Sequence, residues 1–202
     1  MNGNKTHSST LKMTELAILT AIIVVLQLSG TAIKIPGGTS ISLVLLPIVV
    51  GAILLGPLCG AFLGFVFGLI TFLMGAFGVD YFTFVLFTDH PIWTAVVCLG
   101  KAIFAGLIAG LLYKAIAAKA PKAATFIAAA AAPIVNTGLF ILGALFMSDT
   151  LSANFVADGT TVLYFLIIGC AGVNFLFEFA LNLIVAPAIA RIVAVLQKRL
   201  ER

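Results

Sequence analysis

Asn174, Glu178 and Asn182 recur at every fourth residue inside an otherwise apolar run over 162–192. On a helix that spacing draws one polar stripe, drifting by about 40° per step. An ionisable group near the middle of a bilayer costs about 2.5–3.5 kcal/mol on insertion scales, so Glu178 should face a protein interior or a wet cavity. Lys101 and Asn136 lie deep in two other apolar runs and can meet it there. Two arrangements satisfy these groups. In one, Lys101 and Glu178 form a buried pair and the asparagines hydrogen-bond between helices as glue. In the other, they build a small-molecule site in which a few polar groups orient an otherwise apolar ligand. Ionisable side chains inside a membrane favour the site. A proton relay would also use Glu178, but one carboxylate without a neighbouring Asp, Glu or His chain makes a poor relay.

Catalysis finds no support. The chain has no HExxH, no GxxxxGK[ST], no GxSxG and no carboxylate cluster suited to metal-assisted phosphoryl chemistry, so it does not read as an enzyme. Cys59, Cys98 and Cys170 lie singly in three different apolar runs without CxxC spacing, and read as buried free thiols. His7 and His90 are too few and too far apart for a metal centre, so neither metal nor cofactor is expected. The net charge of +4 comes from Lys and Arg at the ends of apolar runs, with no basic stripe interleaved with aromatics. Nucleic acid is therefore not an expected partner.

The elements that must position the polar groups follow from composition. A chain that is 62% hydrophobic and 9% charged cannot cover a water-soluble globule. Apolar runs at 13–33, 41–56, 58–77, 92–113, 123–147 and 162–192 predict an all-α integral membrane protein, with six transmembrane helices in one membrane domain over 1–202. The second run is short for a span. Residues 1–12 read as a polar, mobile flank. That basic flank, the first run and Gly30-Thr31-Ala32 imitate a secretory signal, but the run exceeds a typical h-region and more spans follow, which predicts a retained helix.

Residues 34–40, with Pro36-Gly37-Gly38, read as a loop, and 148–161 as a polar loop. The aromatic-rich 78–91 reads as an interfacial loop or a short half-buried element. Gly60, Gly64 and Gly68, and again Gly106 and Gly110, form small-xxx-small patterns that let helices approach closely.

Six spans with cytoplasmic termini put Lys5, Lys12, Lys114, Lys119, Lys122, Arg191, Lys198, Arg199 and Arg202 inside, and leave Lys34 outside. The positive-inside rule favours that orientation. Were the second run not to cross, the basic 114–122 turn and the C-terminal cluster would both lie outside. In the six-span arrangement Lys101, Asn136 and Asn174 sit at similar depths, roughly 15–18 Å below the outer face at 1.5 Å per residue. Glu178 is one turn deeper and Asn182 nearer the cytoplasm.

The first run carries Ala17-Ile18-Leu19-Thr20-Ala21, an AxxxA pattern. With about 200 residues, six spans, the loop sequence IKIPGGTSISL and the stretch LPIVVGAILLGPLCGAFLGFVFGLI, the chain resembles the substrate-binding S-components of energy-coupling factor (ECF) vitamin importers. The resemblance covers nearly the whole chain, and 46–70 is its most specific part.

It implies a multi-pass protein of a prokaryotic plasma membrane that captures a vitamin from outside, then docks on a transmembrane T-component carrying two ABC-type ATPases. The docking face would be Ala17 and Ala21. The pocket would lie toward the outer side, within the last three helices and under loops 34–40, 78–91 and 148–161. Its expected ligand set is Lys101, Asn136, Asn174, Glu178 and Trp93. The 41–70 stretch looks most like pantothenate-type members, and Lys101 would suit that ligand's carboxylate. The chain lacks the histidine-rich start of cobalt and nickel members, and one Trp is too few for the Trp-rich thiamine type. Glu178 paired with Lys101 would neutralise it and favour neutral polar ligands, and the many Phe residues also suit the rings of riboflavin or folate.

Two other classes compete. A self-sufficient secondary carrier would move solute alone, but no pair of interrupted spans marks corresponding halves. A non-transporting membrane scaffold would hold no small molecule.

Overall fold

A computed structural model describes residues 3–30 and 43–200, with side chains over 10–30 and 43–195. The loop expected at 34–40, Lys34 within it and the side chains of Lys198, Arg199 and Arg202 lie outside these residues. The described elements are helical. In chain order they are α1 (Gly3–Gly30), α2 (Leu45–Leu54), α3 (Pro57–Ala76), α4 (Tyr81–Asp89), α5 (Pro91–Ala117), α6 (Pro121–Leu145), α7 (Ser148–Asn154) and the single turn α8 (Val162–Tyr164). A π-helical segment (Phe165–Gly172) then leads into α9 (Val173–Leu200).

Local chemistry explains the boundaries. Proline opens α3, α5 and α6, where its missing N–H leaves no intrahelical bond unmade and its fixed φ suits the first turn. Gly56 (φ +102) makes the reversal before α3, and Gly78 (φ +72) the one after it. Asp80 caps α4: its Oδ2 accepts the Thr83 backbone N–H at 3.1 Å and also the Thr83 hydroxyl.

Among the described residues five segments are long and apolar enough to cross a bilayer: Thr10–Gly30, Pro57–Ala76, Pro91–Ala117, Pro121–Leu145 and Val162–Val195. The remaining apolar helix, α2, has 10 residues. It covers about 15 Å, half of a hydrocarbon core. Its Leu45, Ile48, Val49 and Ala52 are buried. Outward-facing side chains such as Leu58, Ile92, Leu176 and Ile184 are exposed and apolar, which suits a lipid solvent. The chain is a multi-pass membrane protein.

Two expectations change. The helix begins at Gly3, not after a mobile flank of twelve residues. The 148–161 stretch is not all loop, because 148–154 forms α7, capped at its far end by Phe155. The 78–91 stretch takes the second form expected of it, a short half-buried element: it contains α4, with Phe82, Thr83 and Leu86 buried. In α4 and α7 a polar or mixed sequence is held helical by apolar side chains that it lays on the bundle, Phe82 and Leu86 in one and Leu151 in the other.

Glycines set the closest helix contact, between α3 and α5. A Cβ on Gly60 would press on the Gly106 carbonyl, one on Gly64 on the Ala102 carbonyl, and one on Gly68 on the Cys98 carbonyl. Backbone therefore lies against backbone along about two turns, as the two small-residue patterns lead one to expect. Gly64→Ala gains helix propensity but must push α5 away, so thermal unfolding in detergent should report a net loss of about 1–3 kcal/mol. Gly100→Ala, on a face with nothing within 4 Å, should not be destabilised.

By contrast α1 is loosely held. Among its described side chains only Ile23 is buried, and it packs on α2 and α3. Ala17 and Ala21 are both exposed.

Candidate functional site

The polar groups singled out in separate apolar runs converge. Lys101 from α5, Asn136 from α6, and Asn174 and Glu178 from α9 all line one cavity of about 120 Å³. Lys101 stands ten residues, about 15 Å, inside the start of α5, so its ammonium reaches the cavity well below the helix end. Its Nζ lies 4.8 Å from the centre of the Phe140 ring, within cation–π range. Asn136 is 6% exposed, and among the described residues its carbonyl oxygen accepts no hydrogen bond. A buried acceptor left this way costs about 1–3 kcal/mol unless something in the cavity donates to it. Glu178 is 2% exposed.

Asn182 does not line the cavity. It is 1% exposed, and its amide donates to the Glu178 carbonyl at 2.7 Å, four residues back along the same helix. Trp93 is also elsewhere: its indole N–H donates to the Gly143 carbonyl at 2.9 Å and its ring meets Phe146 edge-on. It precedes Lys101 by eight residues, which puts it about 12 Å higher and some 80° around α5. Cys170 contributes a buried thiol to the wall, while Cys98 is buried and Cys59 partly so. Among the described residues no three His, Cys, Asp or Glu side chains gather as a metal site.

The walls extend beyond the last three helices. Gln27 and Gly30 from the end of α1 take part, with Thr71 and Met74 from α3. The Gln27 amide donates to the Thr71 hydroxyl at 3.2 Å. A lone amide in the first apolar run was a signal of the same kind as Asn136. Asp80 also faces the cavity while capping α4. Nothing in the sequence around Asp80 reveals this, because it depends on α4 folding back over the bundle end.

That end is covered by α4 and α7. Phe155, just after α7, meets Phe82 of α4 at 5.0 Å and stacks on Phe165 at 6.1 Å. At the rim the Thr150 hydroxyl donates to Asp89 at 2.8 Å, and His90 Nε2 lies 3.4 Å from Asp149 Oδ1. The opposite bundle end carries Lys114, Lys119 and Lys122 at the α5–α6 turn.

The Thr150 backbone N–H holds the Asp149 carboxyl below its ordinary value of 3.8, and His90 adds to the effect. A depressed carboxyl contributes stability above its unfolded value and loses it as pH falls through the folded one. The thermal-stability gap between the native chain and Asp149→Asn should therefore persist above pH 3.8 and close below it. A gap unchanged in acid would dissociate Asp149 from the rim.

Residues 11–190 match the sequence profile of a family described as ECF transporter, substrate-specific component. No curated protein matches the chain.

Proposed function

The chain belongs to the ECF transporter substrate-specific component family, and from that premise we propose that it captures pantothenate, or a closely similar carboxylate vitamin, from outside a prokaryotic plasma membrane. As a member of that family it is a substrate-binding transporter subunit, not an enzyme. The observation that carries the ligand reading is the cavity itself, where a lysine, a buried glutamate and unsaturated amide capacity meet inside an apolar bundle. Lys101 takes the carboxylate as a point charge, held in place by the Phe140 face. Asn136, Asn174 and Glu178 take the hydroxyl and amide groups, with Glu178 accepting. Trp93 acts from behind, fixing the start of α5 against α6. A volume of about 120 Å³ holds on the order of ten waters. That suits a compact single-chain ligand better than the ring systems of riboflavin or folate.

The reading includes six crossings of one membrane domain, with α2 in the second, and cytoplasmic termini. The basic α5–α6 turn then lies inside and the α4–α7 end outside, in keeping with the positive-inside rule. The exposed Ala17 and Ala21 form the face that meets a transmembrane T-component, which couples to two ABC-type ATPases. Loose packing of α1 supports this, since an exposed small-residue face is suited to a second helix.

Mass spectrometry of small molecules released from the purified protein tests the ligand: pantothenate or another carboxylate vitamin is expected, and a non-vitamin ligand or none after growth in pantothenate would overturn it. Liposomes containing this chain alone should show no gradient-driven flux. Flux without partner ATPases would favour a secondary carrier.

A further inference from the structure

The last rod leaves α-helical geometry over Phe165–Gly172, directly above the cavity wall. π-helical turns are uncommon and tend to mark functional positions. Here the departure has a specific consequence. In a regular α-helix, residues five apart point about 140° away from one another. The i→i+5 pattern widens the turn and brings them onto one face. Phe165 and Cys170 are such a pair. Cys170 is 2% exposed and lines the cavity, while Phe165 stacks on Phe155 beneath the cap with planes 13° apart. In α-helical register with Cys170 kept on the cavity, Phe165 would swing out toward lipid.

Gly172 permits this register. A Cβ at 172 would collide with the carbonyl oxygen of Ile167, five residues earlier. That oxygen is backbone in the same ladder and cannot rotate aside as a side chain can. An alanine there must break the π pattern.

We propose that Gly172 is a positioning residue for the ligand site: by admitting the i→i+5 turn it keeps Phe165 under Phe155 while Asn174 and Glu178 stay on the cavity wall. The segment is the mechanical link between the cap and the polar wall, so a change of register in one direction withdraws the aromatic support of the cap. Calling that wall a ligand wall rests on the capture reading above, but the link itself does not.

The test uses the full chain in membrane vesicles, with Cys59, Cys98 and Cys170 replaced by alanine and Phe155→Cys and Phe165→Cys introduced. A short bifunctional methanethiosulfonate should join the two new thiols, detected as a linked peptide by mass spectrometry. Adding Gly172→Ala should abolish the link at unchanged helical content. Deleting Ile168 in that background should restore it, because one residue fewer returns Phe165 to the face of Cys170 in α-helical spacing. A general packing defect would not be repaired by a deletion. A link that survives Gly172→Ala, or that the deletion fails to restore, overturns the proposal. Should Gly172→Ala not fold, deletion of Ile168 with Gly172 intact decides the matter: the link is expected to remain, and its loss counts against the proposal. No ligand is needed, so failure here leaves the capture reading standing, and failure to find a vitamin leaves this one standing.

Discussion

On the proposed capture function, Lys101→Met should weaken pantothenate binding by roughly 10- to 150-fold, the range given by about 1.5–3 kcal/mol for a hydrogen bond to a charged group. Methionine keeps much of the stem's apolar contact with Phe140 and removes only the ammonium, so the bundle should remain folded. Asn136→Leu should act in the same direction through a different term. It removes a buried carbonyl that among the described residues has no donor. The ligand-free protein should therefore unfold at an equal or higher temperature, while calorimetric affinity falls. Opposite movement of stability and affinity is the signature of a group held unsatisfied for a ligand. Unchanged affinity in both variants would remove the two residues from the site, and parallel losses of stability and affinity would make Asn136 part of the glue between helices.

Ala17→Leu and Ala21→Leu should abolish uptake while binding is unaffected. Both positions are exposed on a helix that buries only Ile23 among its described side chains, so a larger side chain meets no obstacle within the chain. A leucine there fills the space a partner helix needs for close approach. Binding is measured on the isolated protein and uptake in cells that supply the T-component and ATPases. Retained uptake in both variants would refute the docking face, and equal loss of binding would place these residues in the support of the cavity instead. The second outcome has a physical route, because Gln27 lies further along α1 on the cavity wall.

Much of the site was legible because lipid makes polar residues conspicuous. Lys101, Asn136, Asn174 and Glu178 stand out in apolar runs, and helical rise places the first three at similar depths with Glu178 one turn deeper. The close approach of α3 and α5 was legible for a related reason: glycines at four-residue spacing in a span leave few other uses. Trp93 shows the limit of a shared helix as a guide, since both rise and rotation along α5 separate it from Lys101.

The amino-acid sequence by itself determined the solvent, the long helices, the ends that carry basic charge and the few polar groups that lipid would not tolerate. These follow from transfer free energies and helical rise, which act residue by residue. Only the tertiary structure decided that α1, α3 and α4 join the cavity wall, that Asp80 faces inward, and that 165–172 winds as a π-helix. Each of these depends on which face of one helix meets another, and such rotation is settled by packing between elements far apart in the chain.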